Sequence, residues 1–244
     1  MKKPKILGIS RIRNEEGIIK DTLDHVAKLV DCVYIYDDCS TDNTVKICEE
    51  HPIVKKVIRG LEWQTDPIKR NIAEGSLRQR VYQEALTENP DFIYNFDADE
   101  FADFRGIDFT ADAYKLRLLD FYITPEDINK NFLDRKWCGP EYRDILMLFK
   151  PNPAIRFYQR EPRLPSTYKV EYAGWVKHYG KAISVDEFDK TCDYYVNHRG
   201  GDYLPQFTNK WKDRKGKAVH NYVSDFGGNM IQWKDKDKSY QLVD

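Results

Sequence analysis

The chain lacks several features that would each place it in a particular class of protein. It has no run of about 18 or more apolar residues, so no membrane span is expected. Three early lysines lead into only a short apolar stretch, which is not typical of a cleavable signal peptide. It also lacks a charge excess, because 39 Lys and Arg stand against 40 Asp and Glu. That balance argues against a dedicated nucleic-acid binder. Without an expected membrane span or signal peptide, the chain is predicted to be a soluble, cytoplasmic protein.

Cysteine is scarce and has no motif spacing. The five cysteines are an odd number without a CxxC pair or metal-finger spacing: Cys32, Cys39, Cys48, Cys138 and Cys192. This usage indicates reduced thiols in a cytosol-like compartment. At 244 residues and 41% hydrophobic content, the chain can form a core without disulfides or a structural metal.

The first hundred residues alternate between strand and helix patterns. Short apolar or β-branched runs predict strands at Lys5–Ile12, Cys32–Tyr36, Val54–Ile58 and Asp91–Phe96. Between them, helices are predicted over Glu16–Val30, from about Asp42 to Glu50, and over Asp66–Glu88 with an interruption near Gly75. This order predicts an α/β fold, with a mainly parallel, Rossmann-like sheet flanked by helices.

The second half is less regular. A helix is predicted over Ala111–Tyr122, and a second over Val185–Tyr195 behind Ser184 as its cap. Ile145–Lys150 and Ala154–Gln159 are predicted to pair as a hairpin around a Pro-Asn-Pro turn. No linker or repeat divides the chain.

Polar residues follow three of the predicted strands where each strand ends. They are Arg11, Arg13, Asn14 and Glu15 after the first strand, Asp37 and Asp38 after the second, and Asp97 and Asp99 after the fourth. Parallel sheets bind ligands at the carboxyl ends of their strands. We therefore expect these side chains to meet at one edge of the sheet.

Asp97-x-Asp99 is the motif with the most specific chemical use. Two carboxylates on a tight turn can hold a hard divalent cation such as Mn²⁺ or Mg²⁺, which then neutralises a diphosphate leaving group. In a chain with 32% charged residues, such a motif also arises in ordinary surface loops. Its place directly after an apolar strand, with Asp37-Asp38 on a neighbouring strand end, favours the metal site.

Three phrases, ISRIRNEEGI, VYIYDDCSTDNT and FIYNFDADEF, resemble family 2 glycosyltransferases of the GT-A fold in order and spacing. The resemblance covers about the first 105 residues. Further on, IRFYQREPRL is similar to a hairpin that carries a His-Glu pair in some of these enzymes, with Arg160 in place of the His. VKHYGKAISVDEFDKTCDYY is similar to their His-Tyr-Gly segment and the helix after it.

The resemblance implies a nucleotide-sugar donor bound by residues 1–105, with residues 106–244 forming the acceptor and lid half of the same domain. It implies a nucleotide pocket lined by Arg11, Asn14, Glu15, Asp37, Asp38, Arg78 and Asp97. A carboxylate at Asp38 suits the imide N–H of uracil, which favours a UDP-sugar. The implied metal ligands are Asp97, Asp99 and His178, with His198 as the second choice of histidine.

Several of these roles have structural alternatives. Arg78 either pairs with the carboxylates or a phosphate, or is a solvated charge on a helix. Glu161 matches the implied general base, yet an ion pair with its arginine neighbours would equally explain it. Asp103, Glu100 and Glu171 are competing candidates for the base.

The function predicted is a metal-dependent, inverting glycosyltransferase that moves a sugar to an acceptor hydroxyl. The acceptor is a glycan or another hydroxyl-bearing molecule, with modified DNA kept among the options. The alternatives are a nucleotidyltransferase that makes a nucleotide-sugar and a non-catalytic binding module on the same fold. A nucleotidyltransferase usually has a Gly-rich loop after the first strand, where this chain has RIRNEE.

Overall fold

The computed structural model describes residues 3–197 and 205–242. Within these residues the chain forms two compact units. Unit 1 is drawn from Met1–Gln64, Ile68–Arg117 and Asp144–Trp175, and unit 2 from Thr65–Pro67, Leu118–Arg143 and Val176–Asp244.

The first hundred residues hold four strands and three helices: β1 (Ile6–Ile12), α1 (Ile19–Val26), β2 (Cys32–Asp37), α2 (Thr44–Glu50), β3 (Val54–Arg59), α3 (Pro67–Leu86) and β4 (Phe92–Asn95). Then come β5 (Glu100–Asp103), β6 (Ala113–Phe121), β7 (Trp137–Phe149), β8 (Arg156–Phe157), β9 (Pro162–Arg163) and β10 (Val170–His178). The remaining elements are α4 (Val185–Tyr195), α5 (Pro205–Arg214), β11 (Ile231–Gln232) and β12 (Tyr240–Gln241). Short 3₁₀ helices occupy Phe132–Asp134 and Trp233–Lys238.

The main sheet is built on the parallel strands predicted from the sequence. Its order is β3-β2-β1-β4-β7-β6-β10-β5. The β1 strand pairs in parallel with β2 and β4, so that Ile9 lies opposite both Tyr34 and Asn95, and β2 pairs in parallel with β3. The β4–β7 pairing is antiparallel. The predicted α/β class with a mainly parallel sheet flanked by helices is confirmed.

Apolar burial in unit 1 explains why these strands form. Leu7 and Ile9 of β1 and Ile93 of β4 are fully buried, and they pack in one cluster with Tyr82 of α3 and Phe149 of β7. Each fully buried side chain of this size contributes about 1.5–3 kcal/mol relative to leaving it exposed. The sheet and its helix cover are therefore held by the same core.

The helix predicted over Ala111–Tyr122 is wrong, because β6 occupies this segment. Tyr114, Leu116 and Leu118 are buried, whereas Lys115 and Arg117 between them are only partly buried. This alternation has the two-residue period of a strand. The apolar residues of the segment fit both periods, and pairing within the sheet decides the outcome.

The helix α3 runs without the interruption predicted near Gly75. Gly75 is instead required by a close approach of another segment. A Cβ at this position would lie 2.5 Å from the carbonyl carbon and oxygen of Tyr158 and 2.6 Å from the carbonyl oxygen of Phe157. Glycine therefore allows the backbone of residues 157–158 to run against the helix.

The hairpin predicted around Pro151–Pro153 also pairs differently. The β8 strand pairs with β9, with Arg156 opposite Arg163, and not with the end of β7. Two side chains of α3 fix β8 and the segment before it. Gln79 accepts a hydrogen bond from the Phe157 N–H at 2.9 Å, and Tyr82 Oη donates to the Asn152 carbonyl at 2.9 Å. The local sequence pattern does not indicate these bonds, because their partners are far apart in the chain.

The sequence predicts neither a membrane-spanning helix nor a disulfide. Across residues 3–197 and 205–242, no helix is both long and apolar enough to cross a membrane. All five cysteines lie in the described part of the chain and are free thiols.

Gly75→Ala tests the close approach. Alanine normally stabilises a helix interior by about 1 kcal/mol relative to glycine. Here we expect the opposite sign, a loss of about 1–3 kcal/mol of unfolding free energy, because the methyl group collides with backbone atoms. Urea denaturation measures the change. Ser76→Ala, at the exposed next position of α3, is the control and should shift stability by less than about 0.5 kcal/mol. A stabilised Gly75→Ala variant would contradict the contact.

Candidate functional site

The ends of β1, β2 and β4 lie at one edge of the sheet, as the strand-end pattern predicts. The backbone N–H of Phe96 donates to the Ile9 carbonyl at 3.1 Å, and the N–H of Asp38 donates to the Ile12 carbonyl at 2.9 Å. The Ser10 hydroxyl donates to the Phe96 carbonyl at 2.7 Å. The polar residues that follow the three strands are therefore anchored to one another in unit 1.

Arg11 and Asp38 form an ion pair at this edge. Asp38 is only 4% exposed, and its Oδ2 accepts a hydrogen bond from the Arg11 guanidinium. Arg11 Nε is buried and makes no hydrogen bond within the part of the chain that the structure describes. A buried guanidinium and carboxylate require each other, since either charge alone is costly to desolvate.

Asp37 orders the turn after β2. Its two carboxylate oxygens each lie 3.2 Å from the backbone N–H of Ser40, and the side chain is buried. Asn14 docks on the same turn: its N–H donates to Ser40 Oγ at 2.9 Å, and its Oδ1 accepts from the Thr41 N–H at 2.8 Å. Asn14 adopts a φ of +53°, a conformation that asparagine tolerates better than most residues.

Glu15 begins the turn that leads into α1. Its N–H donates to Thr44 Oγ1 at 2.7 Å, and its carbonyl accepts from the N–H groups of Ile18 and Ile19. Arg13 stacks on Trp63, with the guanidinium carbon 3.7 Å from the ring centroid, and donates to the carbonyls of Asp38 and Cys39. These contacts shape the loops around Arg11 and Asp38.

Asp97 lies between two arginines. Arg78 of α3 donates to Asp97 Oδ1 at 2.6 Å and to Asn95 Oδ1 at 3.0 Å. Arg160 Nε lies 2.9 Å from Asp97 Oδ2, an ion-pair contact without hydrogen-bond geometry. Arg78 is 2% exposed, so the alternative of a solvated helix charge is wrong. Of its two predicted pairings, the structure contains the one with the carboxylate.

Glu100 is the second carboxylate paired with Arg160. It is 2% exposed, both of its oxygens lie 2.5 Å from Arg160 Nη2, and Glu100 Oε2 also accepts the Asp97 N–H at 2.9 Å. Burial acts to lower the pKa of the Arg160 guanidinium, but the charges of Glu100 and Asp97 outweigh it and raise that pKa. Arg160 is therefore a permanent cation beside the Asp97–Glu100 turn.

Asn95 connects these groups, and the sequence reasoning missed it. Its Nδ2 donates to the Arg160 carbonyl at 2.9 Å, while its Oδ1 accepts from Arg78. It is 1% exposed. A single amide in the otherwise apolar run FIYNF was the available signal, because a buried polar side chain needs partners on both of its ends.

The candidate bases differ in their partners. Glu100 is paired with Arg160, Asp103 with Arg105, and Glu171 with Lys169 at 2.5 Å. Glu161 is partly buried and makes no hydrogen bond or ion pair within residues 3–197 and 205–242. The ion pair offered as its alternative explanation is not formed, since Arg160 faces Asp97 and Glu100.

The turn at Asp97–Asp99 carries two carboxylates that could contact a divalent cation. Both residues are partly exposed. No group of three His, Cys, Asp or Glu side chains gathers into a metal cluster among the described residues. A cation such as Mg²⁺ is commonly bound by one or two carboxylates together with substrate phosphates. The two carboxylates at this turn match that mode in number and type, and a cation would share Asp97 with the guanidinium groups of Arg78 and Arg160, which already contact its two oxygens.

His178 belongs to unit 2 and is held by a buried carboxylate. Its Nδ1 lies 2.5 Å from Asp120 Oδ1, and Asp120 also contacts Arg143 at 2.7 Å and Lys181 at 3.1 Å. Burial acts to raise the pKa of Asp120, but Lys181 and His178 hold it well below its ordinary value. A carboxylate on one ring nitrogen fixes the orientation and tautomer of a histidine. His198 lies outside the described residues.

Comparison with known proteins matches part of the chain to a family. Residues 11–106 match the sequence model of the family described as Glycosyl transferase family 2. This match confirms the resemblance inferred from the three motifs for this segment of the chain. Uncharacterized proteins of Mycobacterium tuberculosis and Mycobacterium bovis are each 30% identical over 154 residues, covering 62% of this chain and 35% of the relative. The chain thus spans about a third of the length of these relatives.

Two solved structures show a more distant likeness. Residues 1–349 of S. aureus TarS are 15% identical, with a TM-score of 0.43 over 86% of this chain and 71% of that chain. Glucosyl-3-phosphoglycerate synthase of Mycobacterium tuberculosis was solved with Mn²⁺, UDP and glucosyl-3-phosphoglycerate. It is 18% identical, with a TM-score of 0.32 over 49% of this chain and 44% of that chain.

Arg160→Gln tests the charge network behind the turn. Glu100 would keep a buried charge without its partner, so we expect a loss of about 3 kcal/mol of unfolding free energy, measured by urea denaturation. The double variant Arg160→Gln/Glu100→Gln removes both charges and should recover part of this loss. Arg163→Gln, which changes a ring-stacked arginine in the same hairpin, is the control. Equal losses for Arg160→Gln and Arg163→Gln would contradict the network.

Proposed function

We propose that this protein is a metal-dependent, inverting glycosyltransferase that uses a nucleotide-sugar, preferably a UDP-sugar. The observation that carries the proposal is the edge formed by β2, β1 and β4. There a buried Arg11–Asp38 pair and the Asp97–Asp99 turn occur within a segment that matches a glycosyltransferase family. Ligands of parallel sheets bind at this edge.

Asp38 is proposed to recognise the base of the donor. Arg11 engages its Oδ2, and Oδ1 makes no hydrogen bond among the described residues. This oxygen is the proposed acceptor for the imide N–H of uracil. Asn14, Glu15 and Asp37 contribute by holding the loops around the pocket, as their turn contacts indicate.

Asp97 and Asp99 are the proposed ligands of Mn²⁺ or Mg²⁺. When bound, the cation would neutralise the departing diphosphate. Arg78 and Arg160 fix the Asp97 carboxylate from opposite oxygens, so that its orientation is set before a donor binds. Such preorganisation avoids the free-energy cost of reorienting charged groups during the reaction.

Glu161 is the proposed general base, which takes the proton from the acceptor hydroxyl as that oxygen attacks the anomeric carbon. The proposal rests on its position next to Arg160 and on its lack of an ion-pair partner among the described residues. Its competitors Glu100, Asp103 and Glu171 are each neutralised by a cation.

Residues 1–105 are proposed to bind the donor and residues 106–244 to provide the acceptor side. The acceptor is a glycan or another molecule with a free hydroxyl. Five free thiols suit a reducing compartment, so we propose that the reaction takes place in the cytoplasm.

Asp99→Asn tests the donor and metal assignment. The wild type, incubated with a panel of nucleotide-sugars and Mn²⁺, should slowly release UDP from one donor, and chelation with EDTA should abolish the release. Asp99→Asn should lower the rate by about 10²-fold or more, because the leaving group loses its neutralising charge. Asp237→Asn, at an exposed carboxylate without an ion pair in the described chain, is the control and should retain the wild-type rate.

The other possible functions give different results in this assay. Pyrophosphate release from a nucleoside triphosphate would indicate a nucleotidyltransferase. Binding of a nucleotide-sugar without turnover would indicate a binding module. Failure to bind any nucleotide-sugar, with or without metal, would remove the donor-site assignment.

Glu161→Gln tests the base. Loss of a general base lowers the transfer rate by about 10²- to 10⁴-fold, while the affinity for the donor should remain unchanged. Glu171→Gln, which changes a competing carboxylate paired with Lys169, should leave the rate unchanged. The anomeric proton of the product, followed by NMR before mutarotation, reports inversion. A greater loss in Glu171→Gln would reassign the base.

A further inference from the structure

A basic pocket in unit 2 is not explained by the proposed donor site. It has a volume of about 760 Å³ and is formed by α5 and the segment that follows it. Its charged lining consists of Lys210, Asp213, Arg214, Lys217, His220 and Asp225, and we call it the α5 pocket. The volume lies within the range of small-ligand sites. No lining residue belongs to the family-matched segment 11–106.

Asp225 is the buried anchor of the α5 pocket. Its Oδ2 lies 2.6 Å from Arg214 and 2.7 Å from Lys181, and the Asp225 side chain is 8% exposed. Lys181 also contacts Asp120, which is paired with Arg143 as well. Two carboxylates are therefore shared among three cations before Lys210 and Lys217 are counted.

Lys210 contributes a positive charge that no carboxylate pairs with in the described residues. Within the described residues it has no ion pair, and its ammonium group lies 5.7 Å from the centre of the Phe226 ring. Burial, together with the nearby charges of Arg214 and Lys181, lowers the pKa of Lys210. Lys217 is exposed and also lacks an ion pair in the described chain, and Asp213 is the one further carboxylate in the lining. With His220 neutral, the lining carries three cations, Lys210, Arg214 and Lys217, against the two carboxylates Asp213 and Asp225.

A surplus of this kind destabilises the empty pocket and favours an anionic ligand. Like charges held together in a partly desolvated place repel one another, and an oxyanion relieves that repulsion. Arg214 uses one N–H of its guanidinium on Asp225, which leaves further donors in the fork geometry that suits phosphate. The side-chain amides of Asn209 and Asn221 add neutral donors to the lining.

We propose that the α5 pocket is a phosphate-binding site in which Lys210 and Arg214 contact the phosphate oxygens. The phosphate belongs either to a phosphate ester on the acceptor or to the diphosphate of a nucleotide. Lys181 does not line the pocket, and its role is to hold Asp225 and Asp120 in place. Phosphate binding at the α5 pocket can be measured without any transfer reaction. The proposal therefore does not depend on the proposed transferase activity.

The test measures binding of glycerol 3-phosphate and of UDP by isothermal titration calorimetry, at an ionic strength kept constant with chloride. Lys210→Gln should weaken the binding of at least one probe about tenfold, the effect of losing one charge-assisted hydrogen bond. Lys212→Gln makes the same charge change on an exposed position of the same helix outside the lining, and it should stay within about twofold of the wild type. Asp213→Asn should strengthen binding, because it removes a repelling carboxylate.

The two probes distinguish the sources of the phosphate. Weakened glycerol 3-phosphate binding in Lys210→Gln supports the site and assigns it to a phosphate ester, while weakened UDP binding supports it and assigns it to the nucleotide. Binding of neither probe overturns the proposal, and so do equal losses in Lys210→Gln and Lys212→Gln. UDP binding that Asp38→Asn abolishes and Lys210→Gln leaves intact, without glycerol 3-phosphate binding, also overturns the pocket while the donor site stands.

Discussion

Pairing of the buried charges around the Asp97–Glu100 turn is the constraint on which the arrangement of unit 1 depends. Glu100 and Arg78 are almost fully buried, and a charge in such a place is tolerated only with a partner. Arg160 provides that partner for Glu100 and contacts Asp97 as well. Because Arg160 lies about sixty residues further along the chain, this requirement fixes the position of the β8–β9 hairpin as well as the shape of the turn.

The fit of the hairpin against α3 follows from the same constraint. Gly75 has no side chain to block residues 157–158, and the Gln79 amide pairs with the backbone of Ile155 and Phe157. Asn95 then joins the hairpin to β4 through the Arg160 carbonyl. Glu161 follows directly in the chain. Gly75, Asn95 and Arg160 thereby position the segment that carries Glu161, which is distant from Gly75 and Asn95 in sequence. None of these three residues needs to take part in the reaction.

Local pattern was sufficient where the residues of a segment fit only one kind of secondary structure. The parallel strands β1, β2 and β4 and their shared edge are of this kind, because buried runs and strand-end polar residues indicate them directly. The β6 strand was misread since Ala113–Phe121 carries apolar residues that fit two periods. The hairpin partner and the Arg78–Asp97 pair were beyond local pattern, because both depend on contacts across many residues. The sequence signal for such contacts was Asn95, a single amide within the apolar run FIYNF.

The two units differ in how their charges are balanced. In unit 1 the buried carboxylates Asp38 and Glu100 each have a guanidinium partner, so these pairs are nearly neutral. Glu161 is the exception among the candidate bases, since it forms no ion pair within the described chain and interacts with the neighbouring Arg160 only through its charge. In unit 2 the balance is reversed, because Lys210 has no carboxylate partner there while Arg214 and Lys181 already share Asp225. Charged side chains that pair with one another within the fold hold its geometry. Those that remain without a partner are available to bind a ligand. By this criterion the unpaired cations of unit 2 are the groups that a phosphate would neutralise.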